Sequence, residues 1–179
     1  MKKSLILFVI LLAVSLPVVG ATADLTLHNA PASVYFSPDG GATKAIVRAI
    51  DGATLEVLVQ AYSFTSAPIA KALVDAHKRG VSVEAILDKS QRTEKYTGAT
   101  FLANNMIPTY IDAAHVIAHN KIIIIDKQTV ITGSFNFTKA AESKNAENLL
   151  IITSKDLANY YLDNWQRHRR HSEPYRGRY

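Results

Sequence analysis

An α/β sandwich around a mixed, largely buried β-sheet flanked by helices is predicted by three features of this 179-residue chain. Strand-like runs alternate with amphipathic helical runs over most of its length. Several of the strand-like runs are apolar without interruption, as strands covered on both faces are. The breaks between them are short Gly, Pro and Asp turns. The length suits a single domain with its own core, predicted over residues 24–179.

Taken in order, Val34-Tyr35-Phe36 reads as a first strand closed by the turn cluster Ser37-Pro38-Asp39-Gly40-Gly41. Ala42 to Ile50 follows as a helix, with Ile46 and Ile50 at helical spacing and Asp51-Gly52 at its end. Leu55 to Val59 is a strand running into Tyr62-Ser63-Phe64. Ser66 and Pro68 open a helix that buries Ile69, Leu73 and Ala76 and stops at Gly80. Val81 to Leu87 is a strand ending at Asp88, and Lys89 to Gly98 is a polar surface loop. A short helix near Ala99 to Asn105 and a strand near Thr109 to Ile111 come next. His119 to Ile125 and Thr129 to Thr132 are two strands joined by a tight turn at Asp126-Lys127-Gln128. Leu149 to Ile152 is a last strand, with Glu147 just before it, and Asp156 to about Arg170 is a final helix.

The first 23 residues stand outside that scheme. Lys2 and Lys3 precede an apolar run from Leu5 to Val19, and Ala21-Thr22-Ala23 is a small-x-small cleavage signal, so a removed signal peptide is predicted. The run is short for a membrane span. Loss of the two lysines lowers the formal charge from +5 to +3, which is basic without being extreme. The chain has no cysteine, which excludes disulfides and thiolate metal ligands. The expectation is an exported, periplasmic or secreted protein with no stable membrane association after cleavage.

The chemistry concentrates around one strand. His119 and Lys121 sit two apart, and a period of two puts them on one face, with Ile123 and Ile125 continuing it. Burying such groups unpaired costs about 1–3 kcal/mol each, so the strand end is predicted to open into a polar site. Ser134 and Asn136 share a face at the end of the next strand, and a plain hairpin brings the two pairs together. Gly133 fits a place where a ligand or another segment approaches closely.

His119-x-Lys121, four residues, Asp126, six residues, Gly133-Ser134-x-Asn136 resembles the HKD signature of the phospholipase D superfamily. The resemblance extends through Tyr62-Ser63-Phe64, Arg79-Gly80-Val81 and Leu87-Asp88. It implies phosphodiester cleavage through a covalent phosphohistidine, with no metal and no cofactor. In that scheme His119 is the nucleophile, or the general acid/base in the partner subunit, and the second histidine protonates the leaving oxygen and later activates water. Neutral imidazole and imidazolium suit those two roles near neutral pH. Lys121, Asn136 and the Ser134 hydroxyl suit the negative charge gathered on the non-bridging oxygens. Glu147 resembles the acidic residue that orients the nucleophile. Asp126 is expected to hold the turn rather than touch substrate.

Two histidines are needed, and none of His28, His77, His115, His168 and His171 is followed by lysine at the second position. A homodimer with one composite active site is therefore expected, each copy supplying the same surface. His115 and His119, four apart, imitate a metal pair, but the isoleucine run favours a strand and no carboxylate or cysteine is seen to complete a ligand set. Asp88 and Tyr62-Ser63-Phe64 either line the cleft or pack.

The C-terminal run carries Arg167, Arg169, Arg170, Arg176 and Arg178 among Trp165, Tyr175 and Tyr179. It is either a solvated helix end, where positive charge suits the dipole, or a surface for phosphates and bases. Small, basic, single-signature members of the family look like nucleases, so a non-specific endonuclease acting on DNA, and on RNA as a further substrate, is the leading expectation. A phospholipid head-group hydrolase is the first rival. A catalytically silent nucleic-acid-binding protein is the second.

Overall fold

The structure is a computed structural model that describes residues 22–93 and 97–177. The predicted signal segment lies outside the described residues apart from its last two positions. Among the described residues, no helix is long and apolar enough to cross a membrane.

The eight strands are β1 (Ala32–Ser37), β2 (Glu56–Ala61), β3 (Ser82–Asp88), β4 (Thr109–Asp112), β5 (Lys121–Ile125), β6 (Thr129–Gly133), β7 (Glu147–Thr153) and β8 (Glu173–Pro174). They form one sheet in the order β1-β7-β6-β5-β2-β3-β4-β8. The β2–β3 and β3–β4 pairs are parallel, and every other pair is antiparallel. The helices are α1 (Ala42–Asp51), α2 (Ala67–Lys78), α3 (Gly98–Asn104), α4 (Lys139–Ser143) and α5 (Lys155–His171). The mixed sheet and flanking helices are the predicted sandwich.

Strand parity sorts the core into two layers. Val57, Val59, Ile123, Ile125 and Ile131 face the helices that carry Ile46, Leu73 and Leu102. Leu58, Ile86, Ile122, Ile124 and Val130 face α5 through Ala158 and Trp165. The isoleucine run of β5 therefore feeds both layers, which is why it shows no polar alternation. Trp165 also anchors α5 to the sheet, its indole N–H donating to the Val59 carbonyl at 3.0 Å.

Two local expectations need correction. The segment after β3 is no simple surface loop: it begins as a 3₁₀ turn over Lys89–Arg92. Gln91 and Thr97 are buried within it, because the Gln91 amide oxygen accepts the Phe64 N–H at 3.2 Å. β7 is not the last strand either. Glu173–Pro174 turns back after α5 and pairs with β4, too short a stretch for periodicity to reveal.

The register brings one end of every long strand together. Ser37 pairs with Glu147, Gly133 with Leu149, Ala61 with Lys121, and Asp88 with Asp112. Tyr62, Asp88, His119, Lys121, Ser134, Asn136 and Glu147 gather at this end of the sheet or in the loops leaving it, whereas Asp126 lies at the other end.

Candidate active site

The loop 113–120 crosses this end of the sheet and delivers His119 to the start of β5. Strand pairing begins only at Lys121, so His119 lies just outside the predicted strand and is exposed, whereas Lys121 is buried. The Lys121 ammonium donates to the His119 carbonyl at 2.7 Å, which holds the pair together without strand periodicity. Burial pushes the Lys121 ammonium below the ordinary lysine value, and the Glu147 carboxylate acts in the opposite direction. Tyr62 continues from β2 beside them: its N–H donates to the Asn120 carbonyl at 2.8 Å. Its ring lies 4.7 Å from the His119 ring, tilted by 52°, and the Lys121 ammonium sits 5.3 Å from the same ring. Tyr62 thus lines the site, while Phe64 is fully buried.

Gly133 ends β6 at φ +148°, a conformation that L side chains rarely adopt. A Cβ there would stand 2.3 Å from the Asn148 carbonyl oxygen, so the close approach predicted for Gly133 is to the backbone of β7. Beyond it, the N–H groups of Ser134 and Phe135 both donate to that one oxygen, at 3.1 and 3.2 Å, in the manner of a β-bulge. Strand pairing of β6 ends there, yet burial still alternates: Phe135 and Phe137 are in the core, while Ser134 and Asn136 keep exposed surface. Ser134 is exposed. Asn136 is half-buried, and its side-chain oxygen is buried without a partner, a polar atom facing inward at the site.

Glu147 lies in β7 rather than before it. It accepts from the Ser134 hydroxyl at 2.6 Å and from the Asn145 amide at 3.0 Å. Among the described residues, no hydrogen bond joins it to His119, so the expected orienting bond is not made within the chain. The strand order gives the reason. β6 stands between β7 and β5, which puts Ser134 next to Glu147 and His119 one strand further off.

Asp126 sits at the opposite end of β5. Its carboxylate accepts from the N–H groups of Thr54, Leu55 and Glu56 and from the Thr54 hydroxyl, all at 2.8–2.9 Å. Burial acts to raise its carboxyl, and these donors outweigh it, holding the group below the usual carboxylate range. Asp126 and Lys127 both have positive φ and are the central residues of the turn that the Gln128 N–H closes on the Ile125 carbonyl at 3.0 Å.

To the two readings open for Asp88 the structure adds a specific contact, and one further feature was missed in the sequence. Asp88 is buried and accepts the Ala118 N–H at 2.7 Å, pinning the residue next to His119. His115 does not pair with His119 but turns to Asp112, which together with His168 and His171 forms a compact four-residue group. The supposed lack of a carboxylate near His115 is corrected by this group. The legible signals were the i, i+3 spacings of Asp112 with His115 and of His168 with His171, the latter on a helix.

A cleft of about 690 Å³ opens beside His119 and Lys121, lined in part by Thr22 and Ala23 of the segment expected to be cleaved and by Leu25 after it. Its floor includes His119, Lys121 and Gly133, and α5 supplies Tyr160, Tyr161 and Arg167 as one wall. The other arginines differ. Arg169 stacks on Tyr110, its guanidinium carbon 3.2 Å from the ring centroid, and lies 3.6 Å from the Glu84 carboxylate. Two helical steps turn it away from the cleft, so it is no free phosphate contact. Arg170 and Arg176 are exposed, and Arg176 lines a separate pocket beside β4 and β8. Trp165 is buried, and the Tyr175 hydroxyl bonds Thr100 at 2.9 Å, so these aromatics pack rather than wait for bases. Arg178 and Tyr179 lie outside the described residues.

A family model described as cardiolipin synthase, PLD-like domain, matches residues 46–169. Phospholipase D of Rickettsia conorii (strain ATCC VR-613 / Malish 7) is 46% identical over 139 residues, 78% of this chain and 70% of that protein. The crystal structure of Nuc from Salmonella typhimurium, a phospholipase D family member, superposes with a TM-score of 0.80 at 41% identity, covering 83% of this chain and 100% of that one. NucT from Helicobacter pylori shares the fold with a TM-score of 0.75 at 24% identity, covering 82% and 100%.

Proposed function

The chain belongs to the phospholipase D superfamily and is a phosphodiester hydrolase, and on that premise we propose that it is an endonuclease of low sequence preference, working as a homodimer in an exported compartment. The observation that carries the substrate reading is the wall of the cleft. Tyr160, 48% exposed, and Arg167 stand along α5 beside His119 and Lys121, with Tyr161 packed on the core beneath them, an aromatic and cationic surface suited to a nucleic acid backbone and its bases. With no base-reading module, contacts fall mainly on phosphates.

In this reading an imidazole nitrogen of His119 attacks phosphorus, and the phosphorus–oxygen bond to the leaving group breaks. His119 of the second copy donates the proton to the departing oxygen. Water then cleaves the phosphohistidine, giving its proton back to that second imidazole. Lys121 neutralises the non-bridging oxygens, and its partly desolvated ammonium sits in a setting where that interaction is strengthened. The half-buried Asn136 amide supplies N–H donors, and the Ser134 hydroxyl can donate only when its single proton leaves the Glu147 carboxylate. The dimer is supported by the single His-x-Lys copy and by exposed apolar side chains at the same end of the sheet. Val116 and Ile117 in the loop carrying His119 are 85% and 53% exposed, and Phe36 at the end of β1 is 65% exposed.

A head-group phospholipase is the second reading, favoured by the name of the Rickettsia relative and by the same exposed apolar residues, which would suit a lipid surface. Plasmid nicking and head-group release from phosphatidylcholine vesicles, both in excess EDTA, separate the two. Nicking without head-group release is expected, and the reverse pattern makes the protein a phospholipase. His119→Ala should lower nicking at least about 10³-fold while leaving DNA binding in place. Binding without nicking by the wild type would leave only the silent nucleic-acid-binding protein.

A further inference from the structure

We propose that Asp112, His115, His168 and His171 form a binding site for one divalent transition-metal ion of the zinc class, a structural site that fastens the C-terminal end of α5 to the loop carrying His119.

The four residues come from two distant segments with matching spacing. Asp112 ends β4 and His115 follows three positions later; His168 and His171 are three apart on one face of α5. The Asp112 side chain has no exposed surface, and the three imidazoles are 27%, 14% and 24% exposed. Three ring nitrogens converge on one carboxylate oxygen, with His115 Nδ1 at 2.9 Å, His168 Nδ1 at 2.8 Å and His171 Nε2 at 3.3 Å. The rings crowd one another, with centroids 4.9–5.3 Å apart.

Such a group is awkward as a set of simple ion pairs. A single buried carboxylate can balance one imidazolium, and further protonation sets like charges against one another at these separations. A divalent cation resolves both problems. It neutralises the carboxylate and takes the lone pairs of three neutral imidazoles, whose inward nitrogens release their protons to solvent. One ligand atom from each residue lies within 4.8 Å of all the others. Zinc–nitrogen bonds of 2.0–2.1 Å in a tetrahedron place ligands roughly 3.3 Å apart, so side chains need to close by about 1.5 Å at most.

The donor set decides the class of ion. Three imidazoles and one carboxylate suit zinc, copper, nickel or cobalt and do not suit magnesium or calcium, which take oxygen ligands. Four protein ligands leave no open position, which marks a structural rather than a catalytic site. The site's consequence for the loop is positional. Two further ties hold the same loop: Lys89 donates to the His115 carbonyl at 3.1 Å, and Asp88 accepts from Ala118. A metal held by Asp112 and His115 would fix the loop at His115, four residues before His119, without entering the chemistry there.

The test uses the full-length protein, stripped with EDTA and dialysed, then titrated with zinc alone. Binding of one zinc per chain is expected, with Tm rising by about 5–10 °C at a hundredfold excess over Kd. The His168→Gln/His171→Gln double variant should lose both effects, and His28→Gln should keep both. Cobalt(II) added to the stripped wild type should give the intense visible bands of tetrahedral coordination, a readout that does not need the variant to fold. No stoichiometric binding, an equal Tm gain in the double variant, or only the weak spectrum of hydrated cobalt would overturn the site and leave a hydrogen-bonded histidine–aspartate cluster.

Discussion

Lys121 and Asp126 bound the same five-residue strand, and their environments assign them different work. Lys121 is buried with its ammonium on the His119 carbonyl, and burial lowers its proton affinity. Its positive charge is therefore lost as pH rises through a value below the ordinary lysine figure of about 10.4. The alkaline limb of kcat/KM should fall below that figure. Lys121→Arg, whose guanidinium stays charged, should move the limb upward even though the rate is reduced; a limb unmoved by this change assigns it to another group. Asp126 has four donors on its carboxylate, about 17 Å along the strand from Lys121. Asp126→Asn should cost about 1–2 kcal/mol in urea unfolding at neutral pH, once solvent screening is allowed for, and leave KM unchanged. Because the folded-state pKa is depressed, the contribution is present above the unfolded value of about 3.9 and lost as pH falls through the lower folded value. The gap between the two proteins should therefore close in acid.

At the level of elements, the β5–β6 hairpin carries the motif and β7 tunes it. Gly133 is the hinge between them, since only a residue without Cβ fits against the Asn148 carbonyl at φ +148°. Gly133→Ala should destabilise the fold by about 2–3 kcal/mol and displace Ser134, so that melting temperature and kcat fall together. A variant with wild-type Tm and activity would show that β6 tolerates a Cβ there. The Ser134–Glu147 bond belongs to this same junction, and it exists because β6 ends beside the start of β7. α5 acts at the same scale. Trp165 seats it on the sheet, which turns Arg167 toward the cleft and Arg169 toward Tyr110.

For the whole molecule, the fold collects its polar strand ends at one edge of the sheet yet offers a single His-x-Lys pair. A shared site between two copies makes a quantitative demand. If each cleavage needs His119 from both chains, mixing wild type with His119→Ala after exchange of subunits should reduce activity as the square of the wild-type fraction. An equal mixture should retain about a quarter of the activity. A linear fall to about half means that each chain works alone.

The signature residues, the isoleucine strand, the tight turn at Asp126 and the helix stops at Gly52 and Gly80 were legible in the chain because they depend on local spacing and backbone preference. So was the presence of a single His-x-Lys pair, a matter of counting. The tertiary structure alone decided which groups meet. Tyr62 lies against His119 because β2 and β5 are neighbours, and Asp88 holds Ala118 because β3 ends at the same edge. Asp112 gathers three histidines because α5 returns across β4, and Glu147 turns to Ser134 because β6 intervenes before His119. Periodicity reports how a segment is buried. Strand order and crossovers determine what residues tens of positions apart will touch, and no local pattern encodes them.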